Sequence, residues 1–258
     1  MEISAVLNAH REGLLAGPSL ASFFESIRDA RSHGLTVESV VVLDRPDEIT
    51  RAIFNENNVS KGKFFITDYG DPGLARNRGV AESQGRFVAF LDGDDLWSFN
   101  WLSDAHAFCS ALPKPIVAHS EINIAFGSDP HMWLHIDSES AFFDADYLTL
   151  GNYWDALSFA PRKLFLEFPF KANDLAAGYG HEDWHWNCVT LQAGYAHRPV
   201  PGTLHMKRKR AGSQMSRCSD NDVVPWPTDL LRFRKLPGAD PNQHPSGVLD
   251  LHRAGNCI

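Results

Sequence analysis

"GRFVAFLDGDDLW", Gly85 to Trp97, drives five apolar residues, Phe87 to Leu91, straight into three carboxylates, Asp92, Asp94 and Asp95. An unbroken apolar run of that length, bounded by glycine, reads as a strand buried on both faces, as in the middle of a parallel sheet. Carboxylates so close together repel and raise one another's pKa unless a cation stands among them. A core strand that ends in a turn demanding a cation sets the fold and the question of function together.

Upstream, "ISAVLN" (Ile3–Asn8), "VESVVVLD" (ending at Asp44) and "KFFITDY" read as further strands. Between them "PSLASFFESIRDARSHG" sets Leu20, Phe23, Phe24 and Ile27 on one helical face, with Pro18 near its first turn and Gly34 as its stop. "PGLARNRGVAESQG" reads as the helix before the opening strand, ended by Gly85. Strands alternating with helices predict an α/β fold with a mainly parallel sheet flanked by helices. Ligands of such sheets bind beyond the carboxyl ends of the strands. Asn8, Asp44, Asp68 and Asp92 all fall at that edge. After residue 100 the pattern becomes mixed: "NWLSDAHAFCSAL" and "HEDWHWNCVTLQAG" read as helices and "PIVAHSEINIAF" as extended. The Pro- and Gly-rich end reads as loop.

A net charge of −8 argues against nucleic acid as the main partner, because phosphate binding wants a basic face. Cysteines at 109, 188, 218 and 257 form no CxxC pair, which fits reduced thiols better than disulfides. No basic-then-apolar leader is visible, and no segment approaches the ~20 apolar residues of a membrane span. The expectation is a cytoplasmic protein; "KLFLEFPFK" is read as core packing, with peripheral membrane contact as its alternative.

Asp-x-Asp also occurs at Asp144/Asp146 and Asp220/Asp222, but only Asp92/Asp94 follows a strand end. An EF-hand loop fails there, since Trp97 stands at the glycine position and Ser103 at the glutamate position. A strand-end phosphatase wants Thr or Val where Leu96 stands. Hard oxygen ligands at a strand end suit Mn²⁺ or Mg²⁺, which bind one or two carboxylates and fill the rest of their shell with substrate phosphates.

"GDPGLARNRGVAESQGRFVAFLDGDDLW" resembles the donor half of family 2 glycosyltransferases of GT-A (Rossmann-like) fold. The likeness extends to "AVLNAHREG" and "VVVLDRPDEIT" upstream and to "GHEDWHW" and "KRKRAGSQM" downstream, over residues 3–216. It implies one domain over 1–215, with a nucleotide-sugar half (1–100) and an acceptor half (101–215), followed by an extension or linker over 216–258. It implies inverting transfer of a sugar from a nucleotide-diphosphate donor, a UDP-sugar being favoured, to a glycan or glycolipid acceptor in surface polysaccharide or glycoconjugate synthesis. Asp92 and Asp94 would hold ribose and metal at the diphosphate, with Asp95 in support. Asp44 would contact the base, and Asn8 and Arg76 would line the nucleotide pocket. Arg45 replaces the second acid frequent beside Asp44 in the family.

The leaving nucleoside diphosphate develops negative charge, which a metal stabilises as a Lewis acid. Arg208 or Arg210 of "HMKRKRAGSQM" would add to this, although charge runs are more often solvated faces. His205 is a candidate extra metal ligand, a lone histidine being more often structural. In "GYGHEDWHW" the resemblance makes Asp183 the base for the attacking hydroxyl and Glu182 a positioning acid, against the simpler reading of two acids at a helix start. The same stretch matches the HExxH zinc-protease pattern, yet no glutamate follows Glu182, and Cys188 and Leu191 stand where the extended pattern needs Gly and His. A catalytically silent nucleotide-sugar-binding module is the remaining alternative.

Overall fold

In a computed structural model of the chain, residues 1–56, 62–210, 218 and 221–231 are described. The elements run β1 (Ile3–Ala9), α1 (Ala16–Ser32), β2 (Val37–Asp44), α2 (Glu48–Glu56), β3 (Lys63–Thr67), α3 (Pro72–Glu82), β4 (Phe87–Asp92) and β5 (Leu96–Trp97). There follow α4 (Trp101–Ala111), β6 (Val117–Gly127), β7 (His131–Leu134), β8 (Phe159–Pro161), α5 (Arg162–Glu167), β9 (Tyr179–Gly180), α6 (Glu182–Gln192), β10 (His197–Lys209) and β11 (Val224–Pro225). One sheet carries the order β3-β2-β1-β4-β8-β6-β10-β5, with β7 beside β6. β1 to β4 pair in parallel, and β8 joins both β4 and β6 antiparallel, so the sheet becomes mixed where the sequence pattern loosens.

The opening strand behaves as its composition demands. Phe87, Ala89 and Leu91 of β4 enter the layer under α1 and α4, with Phe23, Trp97, Trp101 and Phe159. Val88 and Phe90 enter the layer under α3, α5 and α6, with Val6, Phe165, Phe170 and Trp186. Burial on both faces removes any need for polar alternation, and each buried Val, Leu or Phe contributes about 1.5–3 kcal/mol.

The helix α3 shows why its sequence takes the form Ala-Arg-Asn-x-Gly. Asp71 caps it, accepting from the Leu74 amide at 2.9 Å, and Pro72 begins it. Asn77 donates to the Phe170 carbonyl at 2.8 Å and accepts from the Phe170 amide at 2.9 Å, tying the two halves of the chain. Gly79 lies on β1, where a Cβ would stand 2.4 Å from Val6 Cγ1. The helix ends at Glu82, with Ser83 already extended, before the Gly85 stop read from sequence.

The basic run departs from the sequence reading. It belongs to the long strand β10, disguised by Pro199, Pro201 and Gly202 and by a register shift between Val200 and Leu204. The stretch KLFLEFPFK is largely core, the reading its sequence favoured: Leu164, Phe165 and Phe170 are buried, while Leu166 is exposed. Of the extension expected over 216–258, Cys218 and residues 221–231 lie within the described part. There β11 pairs with β9, and Trp226 stacks on Tyr179 at 4.0 Å.

Candidate active site

The acidic turn is built from three directions. Gly93 lies against β1, where a Cβ would sit 2.5 Å from the Ala9 Cβ, so a side chain there would push the turn off the sheet. The Asp95 amide closes the turn onto the Asp92 carbonyl at 3.0 Å. Ser19, near the start of α1, donates its hydroxyl to the carbonyls of Asp92 and Asp95. Asn8 is the register partner of Asp92, and neither atom of its buried amide has a hydrogen-bond partner.

Each carboxylate of the turn meets a cation supplied by the chain. Asp92 accepts from Arg76 Nη2 with both oxygens, at 2.7 and 2.9 Å. Asp95 is 3.2 Å from Lys207 Nζ and accepts from the Arg208 amide at 2.7 Å. Asp94 accepts from Arg210 Nε at 2.9 Å, and Arg210 Nη2 reaches Glu12. Burial pushes Asp95 up to about 7 against the pull of Lys207, and burial with the nearby Glu12 pushes Asp94 up to about 6 against Arg210.

Arg76 is only 3% exposed and also donates to Glu182 at 2.8 Å, so one guanidinium joins the strand-end turn to the acid pair. Burial alone would lower its pKa; Asp92 and Glu182 more than offset that and raise it. From Glu182 the network passes to Asn173 Nδ2 at 3.1 Å and on to Asp71 at the cap of α3. Asp183, half-buried at the start of α6, has its pKa raised to about 7 by burial and by Glu182, with Arg76 opposing. A carboxyl poised there can exchange a proton at neutral pH.

The structure therefore brings together Asn8, Asp92, Asp94, Asp95, Arg76, Glu182 and Arg210, with Asp183 beside Glu182. The side chains of the other expected site residues have different partners. The Asp44 carboxylate accepts from the amides of Tyr69 and Gly70, both at 2.7 Å, and from Thr67 Oγ1 at 2.9 Å, so it anchors the loop after β3. The Arg208 guanidinium lies over the Phe126 ring, 4.4 Å from its centroid. His205 is fully buried, edge-on to Trp101 at 4.5 Å with neither ring nitrogen hydrogen-bonded, and burial pushes it down to about 3.

Three contributors escaped the sequence reading. Glu12 lies in the loop after β1, at the strand-end edge that drew attention to Asn8, so the same topological argument reaches it. Lys207 was hidden in a basic run whose facing residue only the strand phase selects. Asp155, 3.5 Å from Lys207, lies in an irregular loop and carries no sequence signal.

The zinc-protease pattern is not assembled. His181 precedes α6 in left-handed backbone (φ 57°), His185 Nδ1 donates to the Trp226 carbonyl at 3.0 Å, and Glu182 is held by Arg76. Among the described residues no three His, Cys, Asp or Glu side chains converge to hold a metal ion. At the acidic turn a divalent ion would find each carboxylate already paired, and the donor set as it stands does not fit one.

The sequence matches the Glycosyl transferase family 2 over residues 4–168. The chain belongs to this family. No curated protein matches it. Solved structures agree on a GT-A fold. A fragment of TarS from S. aureus in complex with UDP-GlcNAc is 20% identical, with a TM-score of 0.54, over 84% of this chain and 61% of that one. The mannosyltransferase PcManGT from Pyrobaculum calidifontis, in complex with GDP-Man and Mn²⁺, is 14% identical with a TM-score of 0.57, over 84% and 59%. Glucosyl-3-phosphoglycerate synthase from Mycobacterium tuberculosis, in complex with Mn²⁺, UDP and phosphoglyceric acid, is 16% identical with a TM-score of 0.56, over 86% and 75%. The chain spans 38% of a longer TarS structure. No helix among the described residues of this family 2 chain is long and apolar enough to cross a membrane.

Proposed function

We propose that this chain transfers a sugar, with inversion, from a nucleotide-diphosphate donor to an acceptor hydroxyl, Asp183 acting as the base. The observation that carries the reading is the Arg76 bridge, which ties Asp92 of the strand-end turn to Glu182 beside Asp183. Donor and acceptor groups are thereby held in one ion-paired frame across the sheet edge. Orientation of two reactants in such a frame supplies a large part of an enzyme's rate gain.

In the step itself the acceptor O–H gives its proton to Asp183, and its oxygen bonds to the anomeric carbon. The bond from that carbon to the diphosphate oxygen breaks, and its electron pair leaves with the nucleoside diphosphate. Glu182, held by Arg76 and Asn173, positions the attacking side. Asn8, with both amide atoms unused, offers a donor and an acceptor to the nucleotide. A UDP-sugar donor is favoured, because UDP or UDP-GlcNAc occupies two of the three similar structures described above. Synthesis of a surface polysaccharide or glycoconjugate, on a glycan or glycolipid acceptor, remains the setting proposed for it.

Asp183→Asn keeps shape and removes the base. It should retain nucleotide binding in a calorimetric titration and lose about 10²–10⁴-fold in transfer, the usual worth of general base catalysis. Unchanged transfer would remove Asp183 from the mechanism. Nucleotide binding by a parent protein that transfers nothing to a panel of acceptors would favour the silent binding module.

A further inference from the structure

The cation that the acidic turn demands is present in the chain itself. Arg76, Lys207 and Arg210 each take one carboxylate, and they differ in what they leave free. The side chains of Arg76 and Lys207 are 3% and 13% exposed, whereas that of Arg210 is 35% exposed. Arg76 gives its Nη groups to Asp92 and Glu182, its unpartnered Nε being buried, and Lys207 faces Asp95 and Asp155. Arg210 gives Nε to Asp94 and one Nη2 proton to Glu12. A guanidinium carries five N–H donors, so among the described residues three of them keep no partner. Glu12 is itself fixed, since its other carboxylate oxygen accepts from the His10 amide at 2.9 Å. The guanidinium plane is thus clamped from two sides at the sheet edge, where the donor diphosphate would lie.

We infer that Arg210 takes the place of a divalent metal at this site, binding the diphosphate while Asp94 and Glu12 hold it. A metal at Asp94 would have to displace the guanidinium or sit against it, cation to cation. Arginine suits the substitution, because its planar fork matches phosphate oxygens and stays charged at every physiological pH. When the glycosidic bond breaks, the electron pair arrives on a diphosphate oxygen that already accepts from this guanidinium. The inference deepens the proposed function and rests on a nucleotide-diphosphate donor.

Calorimetric titration of the full chain with UDP, GDP and dTDP, each in EDTA and in Mn²⁺, tests it. One nucleotide should bind the parent equally well in both conditions. Arg210→Ala should weaken that binding in EDTA at least about tenfold, the worth of a hydrogen bond to a charged group. Arg210→Lys, which keeps the charge and loses the fork, should fall between the two. Binding by the parent in Mn²⁺ alone would overturn the inference and leave the donor reading standing, with no variant needed. Equal binding by Arg210→Ala and the parent in EDTA would also overturn it. Absence of binding by any nucleotide in either condition would remove the donor reading, and the role of Arg210 with it.

Discussion

His205→Phe separates a structural histidine from a metal ligand, and the structure gives the size of the effect. His205 is fully buried with both ring nitrogens unpartnered, and burial holds its pKa near 3 against a usual value near 6.5. The folded form is therefore neutral at pH 5, while the unfolded chain takes up the proton. The unfolded state binds more protons there, so stability from this group is lost as pH falls below about 6.5 and continues to fall towards 3. At pH 5 the gap is about 1.5 pH units below the unfolded pKa, worth about 2 kcal/mol at 1.36 kcal/mol per unit. At pH 7.5 the same group contributes about 0.1 kcal/mol or less. Asp95 and Asp183, raised to about 7, work in the opposite direction over the same interval, so the whole protein's acid stability is a poor readout. The difference between variant and parent cancels them. Phe keeps a planar ring against Trp101 and removes the titration. Urea unfolding at pH 7.5 and pH 5 should show the variant gaining about 2 kcal/mol on the parent between the two, or about 4–8 °C in melting temperature. A difference that does not change with pH would refute the assignment of His205 as a buried neutral side chain.

Transfer activity should rise with pH through about 7 and level off above it, as Asp183 loses its proton and becomes a base. A kcat/KM profile flat from pH 5.5 to 8.5 would count against that role. Arg76→Met leaves Asp92 and Glu182 facing each other without their shared cation, and should cost about 3–5 kcal/mol in unfolding experiments, as the breaking of buried pairs does. A loss under about 1 kcal/mol would mean that the bridge does not hold the two halves of the site together. Gly79→Ala drives a methyl group to 2.4 Å from Val6 Cγ1 and should destabilise by about 1–3 kcal/mol, measurable as a lowered urea midpoint. Stability equal to the parent would show that α3 can lift from β1 without penalty.

How far the sequence reached is best seen at β4 and β10. β4 declares itself: an apolar run between Gly85 and Asp92 has one economical solution, a strand buried on both sides. β10 does not, because Pro199, Pro201 and Gly202 interrupt its alternation, and its basic end reads equally well as a solvated face. The family resemblance set the motifs in order along the chain, since motif order is a property of sequence. It could not say which side chains would answer one another. Asp44 stands at the strand end where it was expected, yet its lone pairs go to the loop after β3, a matter of loop conformation that no local pattern encodes.

By itself the sequence determined the α/β class, the strands β1 to β4, the helices α1 and α3, the acidic turn at a strand end and the Glu182-Asp183 pair at a helix start. These follow from periodicity, turn chemistry and the topology of parallel sheets, which act over a few residues or through one simple rule. The tertiary structure alone decided the partnerships: Arg76 with Asp92 and Glu182, Lys207 with Asp95 and Asp155, Arg210 with Asp94 and Glu12. Arg210 and Glu12 are 198 residues apart in the chain, and Arg76 and Glu182 are 106 apart. Which cation meets which acid depends on strand phase, on the bulge in β10 and on the packing of α3 against β1. Those are set by the whole core closing at once, so the charge partners of the site become legible only in the fold.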